Sequence, residues 1–445
     1  MPGNGTAATR TAMADVRVAI NAWFWEQSAT GSGQYVRCLI RHLTMLGEGL
    51  DIVLVVPRGR AEETKAGGMR PQARVVGIRL PAGMPVALAK VWFEQLAFPR
   101  ACAHLQADVA HVPYWAPPWR GRVPTATTIH DLIPLLLPEY RGGALVRLYT
   151  GLVSAAARRA PLVLTDSDAA RRDIIAHLGL EATRVRTVPL AADSRFTPTP
   201  SSDDAATRAR LGVPPRYVLY LGGFDVRKNL ALALRACQHA APAVGPDCPL
   251  VIAGHLPERD TRFTPDPRRL ARELSFDPAS VRFVAPSEGD KPALYRGAQV
   301  FLFPSRYEGF GLPPLEALAC GTPVGGSHAA ALPEVVGSGG LLFPPDDAAG
   351  MGAALAHVLS DPGLHTELSR RAIAQAARFS WERTARETLR AYRDLLTLIP
   401  PRPSNPPGPP RAGEYPCRTA AHAEGAAVRG EAFSAHCTSP GGPNR

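Results

Sequence analysis

Short apolar runs alternate with stretches of helical periodicity twice along this chain, and that double alternation leaves few folds open. The runs at 16–21, 52–56, 109–112, 125–130, 162–165 and 185–189 form a first series. Those at 217–221, 250–253, 281–284 and 300–304 form a second. Such short, continuously apolar runs predict strands buried on both faces, and parallel strands need helical crossovers between them. Helices are predicted over 34–46, after Ser167, from Leu230, and over 314–320, 348–359 and 381–398. The polar, proline-rich TPTPSSDD at 197–204 reads as a linker between the halves. An α/β protein of two tandem Rossmann-like units follows, with ligands expected beyond the carboxyl ends of the strands.

The expected organisation is a disordered segment 1–14, a first domain over 15–200, a second over 201–380, a helix over 381–398, and a disordered Pro/Gly-rich tail over 399–445. Hydrophobic residues at 45% and charged residues at 20% of 445 describe an ordinary globular chain. No apolar run approaches the ~18–20 residues of a membrane span. The first fifteen residues lack the apolar core of a secretory leader. Seven cysteines form no CxxC and no metal-ligand spacing, so reduced thiols in a cytoplasmic protein are expected. Lysine and arginine exceed aspartate and glutamate by 50 − 39 = 11, a balance that admits an anionic partner. Aromatic and basic residues are not interleaved, which argues against nucleic acid.

The densest chemistry lies at 301–323, FLFPSRYEGFGLPPLEALACGTP. A strand ends, a loop Gly309-Phe310-Gly311-Leu312 follows, and Pro313-Pro314 start a helix. Free amides at a helix start favour an anion, and glycine lets a ligand approach the backbone. Glu308 before the loop and Glu316, read as lying in the first helical turn, flank it with seven residues between them. Carboxylates there suit sugar hydroxyls, because each oxygen accepts more than one donor. At 217–229, YVLYLGGFDVRKN joins a strand to a turn carrying Gly222, then Arg227 and Lys228, cations suited to a diphosphate. Lysine is otherwise scarce, with only Lys65, Lys90 and Lys291 elsewhere.

The string at 304–324 closely resembles the E-x7-E motif of glycosyltransferase family 4, and the R-K-N ending at 227–229 resembles a mannosyltransferase B-like subgroup. The resemblance runs from about residue 16 to 395. It implies two facing Rossmann-like domains, the glycosyltransferase B fold, with the last helix crossing back to the N-terminal domain. It further implies retaining transfer of a sugar from a nucleoside-diphosphate donor to a hydroxyl acceptor, lipid-linked or polysaccharide, in cell-surface polysaccharide or glycolipid synthesis. No cofactor and no metal are expected. His130, in the strand-end string TTIHDLIP, and Glu308 are the implied catalytic residues. Gly31 and Gly33 of TGSGQYV join Gly222, Arg227, Lys228, Gly309, Phe310, Gly311, Leu312 and Glu316 as donor-binding residues, with Glu316 on the ribose. The sequence departs from the family at Ala285-Pro286-Ser287 and at Gly325-Gly326, both expected near the nucleotide.

Other readings remain beside this one. Asp166-Ser167-Asp168 matches a DxD metal motif, but its strand-to-helix position suits an N-cap. His328 and Glu334 could form an acid/base pair, yet LPEVVG resembles a structural element of the family's donor cleft. Trp23, Trp25, Trp92, Trp115 and Trp119 suit an acceptor pocket or simple core packing equally. The segment 140–159 sets four arginines among apolar residues, which suits either an anionic membrane surface or the protein's own core. The rivals in function are a nucleotide-sugar epimerase and a non-catalytic sugar-nucleotide binder. A dinucleotide oxidoreductase fails for want of GxGxxG after the first strand.

Overall fold

The computed structural model describes residues 15–27, 30–47, 49–57 and 73–398. The expected terminal segments 1–14 and 399–445 lie outside the described residues. The first half forms β1 (Val16–Asn21), β2 (Leu50–Pro57), β3 (Ala73–Ile78), β4 (Val109–Val112), β5 (Thr125–Thr128), β6 (Leu162–Thr165) and β7 (Val185–Thr187). They pair, all parallel, in the order β3-β2-β1-β4-β5-β6-β7. The second half forms β8 (Val218–Leu221), β9 (Leu250–Ala253), β10 (Val281–Val284), β11 (Val300–Phe303), β12 (Val324–Ser327) and β13 (Gly340–Phe343). Their order is β10-β9-β8-β11-β12-β13, again all parallel.

The strand order reverses at β1/β4 in one sheet and at β8/β11 in the other. Loops leaving such neighbours on opposite faces open a crevice at the carboxyl ends. The apolar runs became strands because each is buried on both sides; β4, β5, β6, β8, β9 and β11 are buried at every residue. Three strands were not legible. In β12 the expected nucleotide-side pair Gly325-Gly326 lies inside the sheet, where an added Cβ at Gly325 would press on Leu302 and one at Gly326 on Leu342. Residues 197–203 of the expected linker form no helix or strand; Asp204 at its end starts a helix, Asp204–Arg210, and binds Arg296 at 2.6 Å, while the Thr197 carbonyl accepts from the same arginine.

The final helix, Trp381–Leu398, does cross back. Trp381, Ala385, Leu389, Tyr392 and Leu395 bury into the same cluster as Val36, Leu39 and Ile40 of the helix Gly31–Leu46. Its Tyr392 hydroxyl lies 2.7 Å from His111 Nδ1, whose Nε2 lies 2.9 Å from Thr128 Oγ1. Thr128 in turn meets the Tyr35 hydroxyl at 3.0 Å, and the Tyr35 ring stands edge-on to His130. Burial drives His111 down to about 3, so this chain of bonds runs through a neutral ring. The last helix of the chain thereby braces the end of β5, where the site begins.

Candidate active site between the two domains

Parallel neighbours place their carboxyl-end loops side by side, and β8 and β11 use this to join residues eighty positions apart. Ser305, fully buried after β11, donates from Oγ to Glu308 Oε1 at 2.5 Å. The same oxygen lies 2.6 Å from Arg227 Nη1 and 2.7 Å from Lys228 Nζ, both from the turn Val226–Lys228 after β8. Burial opposes the charge on Glu308, but Lys228 and Arg227 outweigh it and hold the carboxyl down to about 2. Glu308 is ionised across the physiological range. Arg227 also donates to the Tyr307 carbonyl at 2.8 Å, and its buried Nε has no hydrogen-bond partner. Charge-assisted bonds of this kind are strong and directional.

Across the cleft, His130 follows β5. Its Nδ1 lies 2.7 Å from Asp166 Oδ2 and its Nε2 lies 3.3 Å from the Pro113 carbonyl. Both partners only accept, so a ring that serves both carries a proton on each nitrogen. Burial works against that charge, yet Asp166 holds the imidazole above its ordinary range. Asp131, next in sequence, is raised by burial, with Arg227 pulling it back.

The two halves meet through the glycine loop. Ser167 Oγ donates to the Gly309 carbonyl at 2.6 Å, and a Cβ on Gly309 would stand 2.0 Å from the His130 carbonyl oxygen. Tyr307 donates to Asp173 at 2.6 Å, and the Tyr140 hydroxyl bonds Asp225. Glu334 takes the amides of Asp168 and Ala169 at 2.8 and 2.7 Å, capping from the second domain a helix of the first, Asp168–Leu178. The LPEVVG element is therefore a clamp between domains.

Several expectations change. Glu316 is the fifth residue of the helix Leu312–Ala319, past its first turn, and turns inward to accept from the Tyr295 hydroxyl at 3.1 Å. It does not share a cluster with Glu308, and burial raises it to about 7. Phe310 is buried in the apolar cluster of the first domain, edge-on to Phe379, and Leu312 packs on that same cluster. Both side chains pack where the domains join. Gly311, at φ +114°, caps the helix in a conformation that favours glycine. Gly33 packs against the Gln27 carbonyl, Gly31 is open, and Gly222 ends β8 at φ +156°.

The DxD string divides. Ser167 caps its helix by accepting from the Ala170 amide at 3.0 Å, as its position predicts, and Asp168 accepts from Thr187 at 2.5 Å. Asp166 does not cap; it partners His130. A signal for it was present, since extending the β5–β6 register Thr128↔Leu164 by two residues sets His130 beside Asp166. Trp23 and Trp25 are core residues, while Trp119 is exposed.

A family model described as Glycosyltransferase Family 4 matches residues 29–196, and one described as Glycosyl transferases group 1 matches residues 203–378. The chain is 34% identical over 272 residues to the O-antigen chain mannosyltransferase B of Escherichia coli, covering 60% of this chain and 70% of that one. The chain belongs to glycosyltransferase family 4. Among solved structures the glycosyltransferase is similar to the sucrose-phosphate synthase of Thermosynechococcus elongatus, with TM-score 0.69 and 25% identity over 86% of this chain and all of the other. Anabaena HepE in complex with UDP and glucose shares the fold at TM-score 0.63 and 16% identity, over 84% of this chain and 98% of the other. The two facing domains of this glycosyltransferase are the glycosyltransferase B architecture. Among its described residues no helix is long and apolar enough to cross a membrane.

Proposed function

We propose that the protein transfers a hexose, mannose in the first instance, from a nucleoside-diphosphate sugar to a hydroxyl of a glycan or lipid-linked acceptor, with retention at the anomeric carbon. The observation that carries this is the meeting of Arg227, Lys228 and Glu308 on one oxygen, across the cleft from His130. The relative that acts on an O-antigen chain and the fold neighbour that binds UDP and glucose support the choice of donor and acceptor class.

The chemistry follows from charge. As the bond from the anomeric carbon to the diphosphate breaks, the sugar ring becomes positive and the diphosphate takes the electron pair. Arg227 and Lys228 would stabilise that diphosphate, since fixed cations in a closed cleft act without reorganising. The ionised Glu308 they hold would accept sugar hydroxyls and oppose the ring's growing charge. His130, with Nδ1 on Asp166 and Nε2 on the Pro113 carbonyl, would lend its positive charge to the donor side of the cleft and is not free to act as a base. The acceptor's proton leaves with the departing diphosphate. With protein cations doing this work, no metal is assigned.

Incubation with a panel of nucleotide sugars and glycan acceptors tests the assignment. A glycosylated product whose anomeric proton coupling matches the donor's, formed equally with and without chelator, is the expected result. Nucleotide-sugar interconversion without a glycosylated product would point to the epimerase, and binding without turnover to a non-catalytic binder.

A further inference from the structure

Seven of the twelve large apolar side chains exposed among the described residues lie on just three segments of the first domain. Val86 and Leu88 open the helix Val86–Trp92; Leu96 follows it; Trp119 lies in the loop before β5; Leu145, Val146 and Leu148 open the helix Ala144–Ala157. The segments are bonded to one another. Lys90 Nζ lies 2.9 Å from the Tyr149 hydroxyl, Gln95 Oε1 accepts from the Trp119 amide at 2.8 Å, and the Arg159 guanidinium lies over the Trp119 ring at 4.3 Å. They form one face.

Its charge is one-sided. From 139 to 165 the chain carries Arg141, Arg147, Arg158 and Arg159 against one acid, the exposed Glu139 at its start. From 79 to 107 the only acid is Glu94, which is fully buried against Lys90 and Tyr149. Residues 141–148 are exposed without interruption, whereas Thr150, Val153, Ala156 and Ala157 in the rest of that helix pack inward. The helix thus serves its own core from Tyr149 onward.

We propose that this face docks on a bilayer bearing acidic headgroups. Apolar side chains rimmed by arginine, with an amphipathic Trp at the edge, suit the boundary between headgroups and acyl chains. The place is also right for the reaction. Tyr140, one turn before the patch, packs edge-on to Phe263 of the second domain and lies 6.0 Å from the Arg227 guanidinium. A seated bilayer would lie at the mouth of the cleft, where a lipid-linked acceptor would enter. This deepens the proposed reading of the acceptor and leaves the donor site unaffected.

Sedimentation of the full chain with vesicles tests it. Vesicles of phosphatidylcholine with about one third phosphatidylglycerol should carry the protein down, pure phosphatidylcholine should not, and about 0.5 M salt should release it. Leu145→Asp with Leu148→Asp, or Arg141→Gln with Arg147→Gln, should lower vesicle affinity at least tenfold. All four residues are exposed, so calorimetric binding of a nucleoside diphosphate should not change; its loss would implicate the donor site separately. Equal recovery in the supernatant from both vesicle types overturns the proposal. So does a dimer of the wild-type chain, seen by sedimentation without vesicles, that Leu145→Asp with Leu148→Asp converts to monomer, because the face would then belong to a second copy.

Discussion

His130 Nδ1 stands 2.7 Å from Asp166 Oδ2, joining the ends of two adjacent parallel strands into a charged pair at the floor of the cleft. Asp166 raises the histidine's pKa in the folded chain. Stability from this pair is therefore complete below the unfolded histidine pKa and fades as pH rises through the folded one. If catalysis uses the imidazolium, kcat/KM falls on the same alkaline side. Asp166→Asn keeps an acceptor oxygen but removes the charge, so the alkaline limb of the pH–rate profile should move to lower pH. An unmoved limb would separate Asp166 from the function of His130.

Gly309 faces the His130 backbone at a distance no Cβ tolerates. Gly309→Ala should prevent the domains from closing as they do here while leaving both sheets intact. Turnover should fall by about 100-fold or more, since small misplacements of reacting groups cost that much. Small-angle scattering should report a larger radius of gyration in the presence of nucleoside diphosphate. Wild-type compactness with normal turnover would count against this contact.

Glu316 should behave unlike Glu308. Its carboxyl is raised to about 7 by burial, so the folded state holds a proton that the unfolded chain has released. Between the ordinary carboxylate pKa and about 7, stability therefore falls as pH rises, by roughly 3 kcal/mol in all. Glu316→Gln mimics the protonated form. Its melting temperature should match wild type near pH 5 and exceed it at pH 8. A constant difference at both pH values would remove the buried ionisation from the account.

Most strands were legible because a continuous apolar run of four residues has one stable use here, the middle of a parallel sheet. β12 was not, since Gly325-Gly326 carries the signature of a loop, and the small residues answer to Leu302 and Leu342 on the flanking strands and to the Phe303 carbonyl. In the site, Arg227, Lys228 and Glu308 were legible from motif and charge, and the structure brings them to one oxygen. Glu316 differs because the prolines mark a helix start at Pro313-Pro314, whereas the helix begins at Leu312 and carries the carboxylate into its second turn. The roles of Gly309 and Phe310 were hidden for another reason. What approaches them is the opposite domain, and no local pattern announces a partner 140 residues away.

The carboxylate of Glu308 is the centre of the account, held ionised by two cations that would take up the leaving diphosphate. Steady-state kinetics of Glu308→Gln test it most directly. With its charge serving the transition state more than the bound donor, kcat should fall about 100-fold or more while the donor KM stays within about threefold. A Glu308→Gln enzyme with normal kcat, or one whose defect lies wholly in KM, would contradict the assignment.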